Sequence, residues 1–469
     1  MAKARLAKMH LPEFGMPETM PEIPVEVYAA RLERLRARMH EQGYDRLVVY
    51  ADREHSANLA YLSGFDPRFE EALLVVGPAG DPAVLVGNEC VGTAQSSPLT
   101  MRVELFQDLS LPSQPRHRSR SLQAILTDEG VQNGSRIGVV GWKSYATPEM
   151  MDAPSYLIDE LRRITGDSGS VENATDLLIN AADGLRVINE IEQLAFFEWA
   201  ACQTSQGVRQ LLFGLRPGLT ERQAVGLLEW NGMPLSCHLM LTAGERAAFG
   251  LLSPGDRPIQ RGDRFTVAFG IWGALNCRAG FVVEDAEELP PGIADYVEQL
   301  VGPYFEAVAE WYGALRIGQT GGGLQEIIDR RLGDPFFGIF LNPGHQIHLD
   351  EWVNSPIVPG SDIDLRSGMA FQVDIIPATG TEYFTTNIED GVALADEALR
   401  DGLAVEYPEA WARIQARRRF MADSLGITLH PEVLPFSNIP AYLPPFLLRP
   451  DRVMTLIQGQ VLPSGKKVT

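Results

Sequence analysis

The chain has only four cysteines in 469 residues, Cys90, Cys202, Cys237 and Cys277, widely spaced and without a Cys-x-x-Cys pair. That excludes a disulfide framework or a cysteine zinc site and predicts reduced thiols in a cytoplasmic setting. Long apolar runs are also missing. Nothing approaches the ~18 uninterrupted apolar residues of a membrane span, and residues 1–20 mix charges and prolines without an apolar secretory core. Positive charge is scarce: 40 Lys and Arg face 61 Asp and Glu, a net charge of −21. No basic patch is present to release counterions from phosphate, so a nucleic-acid partner is excluded. The one basic cluster, Arg413 with Arg417-Arg418-Arg419, reads as the solvated face of a helix. A soluble cytoplasmic protein with a small-molecule partner is the expectation.

What is present is ordinary globular material, 45% hydrophobic and 22% charged, long enough for two or three domains. Residues 27–44 carry Tyr28, Leu32, Leu35 and Met39 at helical spacing, and Leu47-Val48-Val49-Tyr50 reads as a strand. Ala72–Val76 and Ala83–Val86 flank a Gly-Pro-Ala-Gly-Asp-Pro turn and form an expected hairpin. A polar stretch at 164–176 precedes a helix opening near Leu185, and Thr220 is a candidate N-cap. Toward the end, a helix near 407–424 leads into a proline-rich run, Pro431 to Pro450, too apolar for a linker. That run is expected to lie extended over this chain or a partner subunit.

The chemistry concentrates in three segments: Pro343-Gly344-His345-Gln346-Ile347-His348, Gly368-Met369-Ala370-Phe371-Gln372-Val373-Asp374, and Asn387-Ile388-Glu389-Asp390-Gly391-Val392. An imidazole pair and carboxylates on neighbouring strands can build a metal site or an acid/base site. Their order, with the upstream string Asn58-x-x-Tyr61-Leu62-x-Gly64-Phe65, resembles the creatinase/prolidase/aminopeptidase P superfamily (peptidase M24), over about residues 30–395. The resemblance implies an α/β (α+β) protein: a smaller creatinase-type α/β domain, 1–183, and a pita-bread catalytic domain, 184–400. That second domain is a curved antiparallel sheet backed by helices, and a C-terminal extension, 401–469, follows it. It also implies a homodimer, whose N-terminal domains close over the partner's pocket.

The departures from the family pattern decide the expected activity. Ala268 stands where the first metal aspartate belongs, Asn276 or Ala279 where the second does, and Leu251 where a histidine follows Gly-x-x-Ala-Ala. Losing both aspartates removes a two-metal centre, since hard cations need several anionic oxygens. The resemblance then implies a metal-independent, creatinase-like hydrolase of a C–N bond in a small nitrogenous compound, with no cofactor. His345, Asp374, Glu389 and His348 are the catalytic candidates. Asn276, Arg278, Trp272, Arg68 and His238 are the substrate-binding candidates, Arg278 through Glu389 or a substrate carboxylate and His238 as a stand-in for the lost histidine. Two alternatives stand beside it. One is an Xaa-Pro dipeptidase retaining a single divalent metal on His345, Asp374 and Glu389 and taking a dipeptide-like substrate. The other is an inactive pita-bread ligand binder.

Overall fold

A computed structural model of the chain describes residues 3–457, so the last stretch of the expected C-terminal extension lies outside the described residues. The chain divides into two compact units: Glu22–Val187, and Met1–Pro21 together with Ile188–Thr469. The N-terminal arm is thus grouped with the second unit and not with the domain that follows it in sequence. The reason is a strand pairing: β1 (Arg5–Lys8) runs antiparallel to β15 (Arg452–Thr455) at the other end of the chain.

The Glu22–Val187 unit opens on the helix Val25–Gln42. Leu32, Leu35 and Met39 form its buried stripe, and Gly43 ends it at φ +74°, a left-handed turn that returns an N–H to the His40 carbonyl. Six strands follow: β2 (Arg46–Ala51), β3 (Ala72–Val76), β4 (Ala83–Val86), β5 (Arg102–Leu105), β6 (Arg136–Val140) and β7 (Ser170–Asn173), ordered β5-β4-β3-β2-β6-β7 in space. All neighbours are parallel except β3, which is antiparallel to both β2 and β4. Near-continuous apolar runs are what a sheet covered on both faces demands, and Val48, Leu73, Val75, Leu85, Ile125, Val139 and Leu161 fill one such core. Because the flanking strands run the same way, the segments after β2 and β5 gather with the entry to β3 at the sheet's carboxyl edge.

The second unit is built on an antiparallel sheet ordered β11-β12-β13-β10-β9-β8: β11 (His345–Gln346), β12 (Ala370–Asp374), β13 (Asn387–Leu394), β10 (Ala274–Phe281), β9 (Arg264–Ile271) and β8 (Met240–Ala243). β14 (Val433–Pro435) pairs with the last residues of β13. Trp272 and Gly273 make the two-residue turn between β9 and β10, with Gly273 at φ +92°. The long helix Ile191–Gly214 packs on the back of this sheet, where Thr204 donates to Asn276 Oδ1 at 2.7 Å. It starts at Ile191 and not near Leu185, because Asn189 spends its backbone and side-chain N–H groups on the Gly368 carbonyl.

The C-terminal segment is part of this unit. The helix expected near 407–424 is Pro408–Phe420, continued by a wider turn to Leu425, and a second helix, Glu397–Glu406, precedes it. Two members of the basic cluster are not on a solvated face: Arg413 and Arg417 are buried and grip Glu198 with contacts of 2.6 and 2.7 Å, whereas Arg419 is exposed. Burial opposes the charge on Glu198, but Arg417 and Arg413 outweigh it and hold the carboxyl below its usual range. The proline-rich run is likewise interior, with Leu434, Ile439, Tyr442, Leu443 and Phe446 buried in its own unit. No helix among the described residues is long and apolar enough to cross a membrane.

Candidate active site

Strand register builds the site. Asp374 lies opposite Glu389, Glu389 opposite Cys277, Cys277 opposite Ala268, and Ala268 opposite Met240. Residues directly opposite in antiparallel strands share a face, so these five side chains form one row across the sheet. His345 pairs with Gln372, two residues before Asp374, and so joins the same face at its β11 edge.

His345 is fully buried, and three carboxylates surround its Nε2: Glu351 and Glu389 at 3.5 Å and Asp374 at 3.8 Å. None of these contacts is a hydrogen bond. His345 Nε2, Glu389 Oε1 and Asp374 Oδ1 are buried without hydrogen-bond partners. On the other side His345 Nδ1 faces the Gln346 carbonyl at 3.3 Å, and the ring stacks on Trp352 with centroids 4.1 Å apart and planes 14° from parallel.

Burial sets the protonation of the acids. It pushes Glu389 up to about 7, with the Cys277 thiol hydrogen bond pulling the other way and Asp390 adding to the rise. Glu351 is also pushed up to about 7, by burial first, with His345 opposing and Glu389 reinforcing. Asp374 rises well above the usual carboxylate range through burial and the Glu389 charge. Burial and the same Glu389 charge push the Cys277 thiol well up, so it is a buried neutral group and not a poised thiolate. Three acids and one imidazole thus share a site in which protons, an ion or a cationic substrate must balance the charge.

Sequence reasoning placed His345, Asp374 and Glu389 in one locus, and the structure brings them together. His348 is buried nearby in sequence but turned edge-on to Phe197, at 5.2 Å between centroids. Asn276 and Arg278 are corrections: alternation puts them on the back of the sheet. Arg278 pairs there with Asp390 at 2.8 Å, not with Glu389, and Asn276 Nδ2 donates to the same Asp390. The residue in the row is Cys277, which lies between the two positions, Asn276 and Ala279, that the family pattern offered. Trp272 sits in the β9–β10 turn, its N–H on the Pro234 carbonyl. His238 is exposed, its Nε2 2.7 Å from the carbonyl oxygen of Leu251, so it meets the backbone at the position where the histidine is absent. Arg68 belongs to the other unit, bidentate on Asp66 through Nε to Oδ1 and Nη2 to Oδ2. Glu351 was missed, because it lies in a loop six residues after His345 with no strand pattern to flag it.

The donor set decides which metal could be held. Two divalent ions need carboxylates on both sides, and the row supplies a thiol and a methyl at Cys277 and Ala268, so a two-ion centre does not fit. One ion does fit. His345, Glu351 and Glu389 each offer a ligand atom, all within 4.8 Å of one another, and two of these groups, His345 Nε2 and Glu389 Oε1, are buried without hydrogen-bond partners.

Residues 31–162 match the model of the creatinase/prolidase N-terminal domain. Solved structures similar to the chain include the Pyrococcus horikoshii OT3 prolidase (16% identity, TM-score 0.61, covering 78% of this chain and 95% of that one) and the Bacillus anthracis Xaa-Pro dipeptidase (17%, 0.61, 79% and 96%). The Thermotoga maritima X-Pro aminopeptidase is a third (17%, 0.59, 78% and 95%). The chain has the prolidase fold. Its Glu22–Val187 unit is of the creatinase/prolidase N-terminal type and its second unit is the pita-bread sheet. No curated protein matches the sequence. At these identities the likeness describes the fold and leaves the chemistry to the site.

Proposed function

We propose that the protein is a hydrolase that opens a C–N bond of a small nitrogenous compound by carboxyl and imidazole acid/base chemistry, without a metal pair and without a cofactor. The row Asp374–Glu389–Cys277–Ala268 carries this reading. It keeps the acids on one side of the pita-bread face and replaces anionic donors with a thiol and a methyl on the other.

The division of labour follows from burial. Asp374, held protonated above the usual range, donates to the departing nitrogen. Glu389, at about 7, is ionised in part of the population at neutral pH and takes the proton of the attacking water. His345 lies within 3.5 Å of Glu389 and stabilises the anionic form. Trp352 fixes the imidazole plane by stacking and shields it from bulk water. In this reading the enzyme works as a cytoplasmic homodimer on a small-molecule or dipeptide-like substrate, and light scattering at micromolar concentration tests the dimer.

The unsatisfied His345 Nε2 and Glu389 Oε1, with Glu351 beside them, favour a second reading. His345, Glu351 and Glu389 would hold one divalent ion, in the manner expected of an Xaa-Pro dipeptidase that keeps a single metal. The bound ion would supply Lewis-acid polarisation of the scissile carbonyl, while Asp374 would remain the proton donor. A screen of guanidino, ureido, cyclic-amidine and Xaa-Pro compounds, with elemental analysis of the purified protein, separates the two. Turnover that survives chelation on metal-free protein supports the first reading. Turnover that requires one ion per chain supports the second and overturns the first.

A further inference from the structure

The sheet face that carries the acids changes character along its length. Across the strands the row runs Asp374, Glu389, Cys277, Ala268, Met240: two carboxyls, then a thiol, a methyl and a thioether. Phe269 confirms the side. A Cβ on Gly207 of the helix behind the sheet would meet its ring at 3.1 Å, so Phe269 points back and Ala268 points forward. Leu275, two residues before Cys277 and on the same face, extends the apolar part. A Cβ on Gly270 of β9 would lie 2.6 Å from Leu275 Cδ1, so this side chain leans across the glycine beside Ala268. The next pair along β8 and β9, Thr242 and Thr266, is polar and bounds the strip.

Access is graded along the same row. Asp374, Glu389, His345 and Cys277 are buried, whereas Ala268 and Met240 are half-buried. The acids form the closed end, and the face opens to solvent where it is apolar. His238, two residues before Met240, meets the Leu251 carbonyl at 2.7 Å, which brings an exposed segment carrying Phe249, Leu251 and Leu252 to the open end. Adjacent strands lie about 4.8 Å apart, so Ala268 is about 10 Å and Met240 about 14 Å from Glu389 across the sheet. That is the reach of a medium-length alkyl chain.

The order of the groups also gives a direction. With Asp374 donating to the departing nitrogen and Glu389 activating the water, the nitrogen lies at the closed end and the acyl carbon beside Glu389. The acyl substituent then runs towards the open end, past Cys277 to Ala268 and Met240. We propose that this strip is the acyl subsite: the substrate is an amide of a medium-chain apolar acid with ammonia or a small amine, and Ala268 and Met240 set the preference. The inference rests on the acid/base reading of the site. Water adds to the acyl carbon and gives a proton to Glu389, the C–N bond breaks, and the nitrogen leaves with the proton of Asp374. The products are the carboxylic acid and the amine. Each methylene placed on the strip adds affinity, and a charged chain end there loses its hydration without a partner.

The test offers acetamide, butyramide, hexanamide and adipamate to the full-length protein, with ammonia release for turnover and calorimetry for binding. From acetamide to hexanamide kcat/KM should rise at least ten-fold, and adipamate, which ends in a carboxylate, should fall at least ten-fold below hexanamide. Ala268→Asn and Met240→Asn, at two half-buried positions, should each remove most of the hexanamide-to-acetamide ratio. Turnover that needs Glu389 but shows no rise with chain length, or a rise that both variants keep, would overturn the inference and leave the acid/base reading standing. Absence of turnover on every amide would count against that reading instead, and binding then decides the inference. Hexanamide binding at least ten-fold more tightly than acetamide, with the difference lost in Ala268→Asn, keeps the apolar subsite; equal binding of the two overturns it.

Discussion

Glu389 and Asp390 are consecutive residues of β13, one on each face of the same sheet, and their surroundings differ in every respect that matters to a carboxylate. On the back, Asp390 takes two hydrogen bonds from Arg278 Nη2 at 2.8 and 3.0 Å, one from Asn276 and one from the Ala441 N–H, and both members of the ion pair are 1% exposed. On the front, Glu389 is as deeply buried, with Oε1 unsatisfied and its nearest basic group, His345, at a non-bonding 3.5 Å. The back face shows what this fold does with a charge it needs for stability: every lone pair is met, and Ala441 even accepts φ +51° to bring its N–H into place. The front face is left uncompensated, a cost that a folding-only role does not explain and a functional site does.

The largest effect should come from the back. Removing one partner of a fully buried ion pair strands the other and costs about 3–5 kcal/mol. Arg278→Met and Asp390→Asn should therefore lower denaturant midpoints severely, while the double change Arg278→Met with Asp390→Leu recovers part of the loss. Glu389→Gln, one residue away, should leave the midpoint unchanged or raise it. Equal destabilisation by Asp390→Asn and Glu389→Gln would erase the distinction between the faces.

Next in size is turnover. His345→Ala and Glu389→Gln should each reduce kcat by about two to four orders of magnitude, the usual size of a lost acid/base group, with melting temperature preserved. His348→Ala should cost turnover less, because its ring packs edge-on against Phe197. Near wild-type rates in both of the first two variants would move the chemistry elsewhere, with His238 the next residue to replace.

The strand runs could be read from the sequence, because apolar patterns and paired turns fix them locally, and the three-segment locus of His345, Asp374 and Glu389 came from the order of motifs that the family resemblance supplied. The face of β10 could not be read from a family pattern matched one residue out of step. A one-residue slip turns a strand over, and it made Asn276 and Arg278 look like site residues. The signal that would have resolved it was present. Counting outward from the Trp272-Gly273 turn places Cys277 opposite Ala268. Glu351 had no such signal, since it reaches the site from a loop. Arg413 and Arg417 were misread because helix charge runs are usually solvated, and only tertiary packing brings Glu198 to them.

A smaller effect is the pH dependence of stability. Glu351 and Glu389 have folded-state values near 7, above the usual 4.5. The native state therefore holds protons that the unfolded chain has released across that window, and stability is lost as pH rises through it. Thermal melts from pH 5 to 8 should show a falling Tm that Glu389→Gln flattens. A flat wild-type profile would mean that the front-face charge is compensated after all. A fall that one equivalent of divalent ion abolishes would favour the single-ion reading.

The smallest effect concerns Cys277, which stands in the row between Glu389 and Ala268. As a nucleophile its replacement would abolish turnover. The geometry gives it a lesser role, in which its thiol hydrogen-bonds Glu389 and partly offsets the upward push of burial on that carboxyl. Because a thiol is a weak donor, its hydrogen bond to the carboxylate is worth about 1 kcal/mol, which corresponds to less than one pKa unit. Cys277→Ala should move the rising, acidic limb of the pH–rate profile to higher pH by a fraction of a unit, with kcat on the plateau retained. Cys277→Ser, which can still donate, should move it less. A shift of similar size in both variants would show that the pocket's shape, and not the hydrogen bond, tunes Glu389. A plateau lost in both would promote the thiol from a positioning group to a participant.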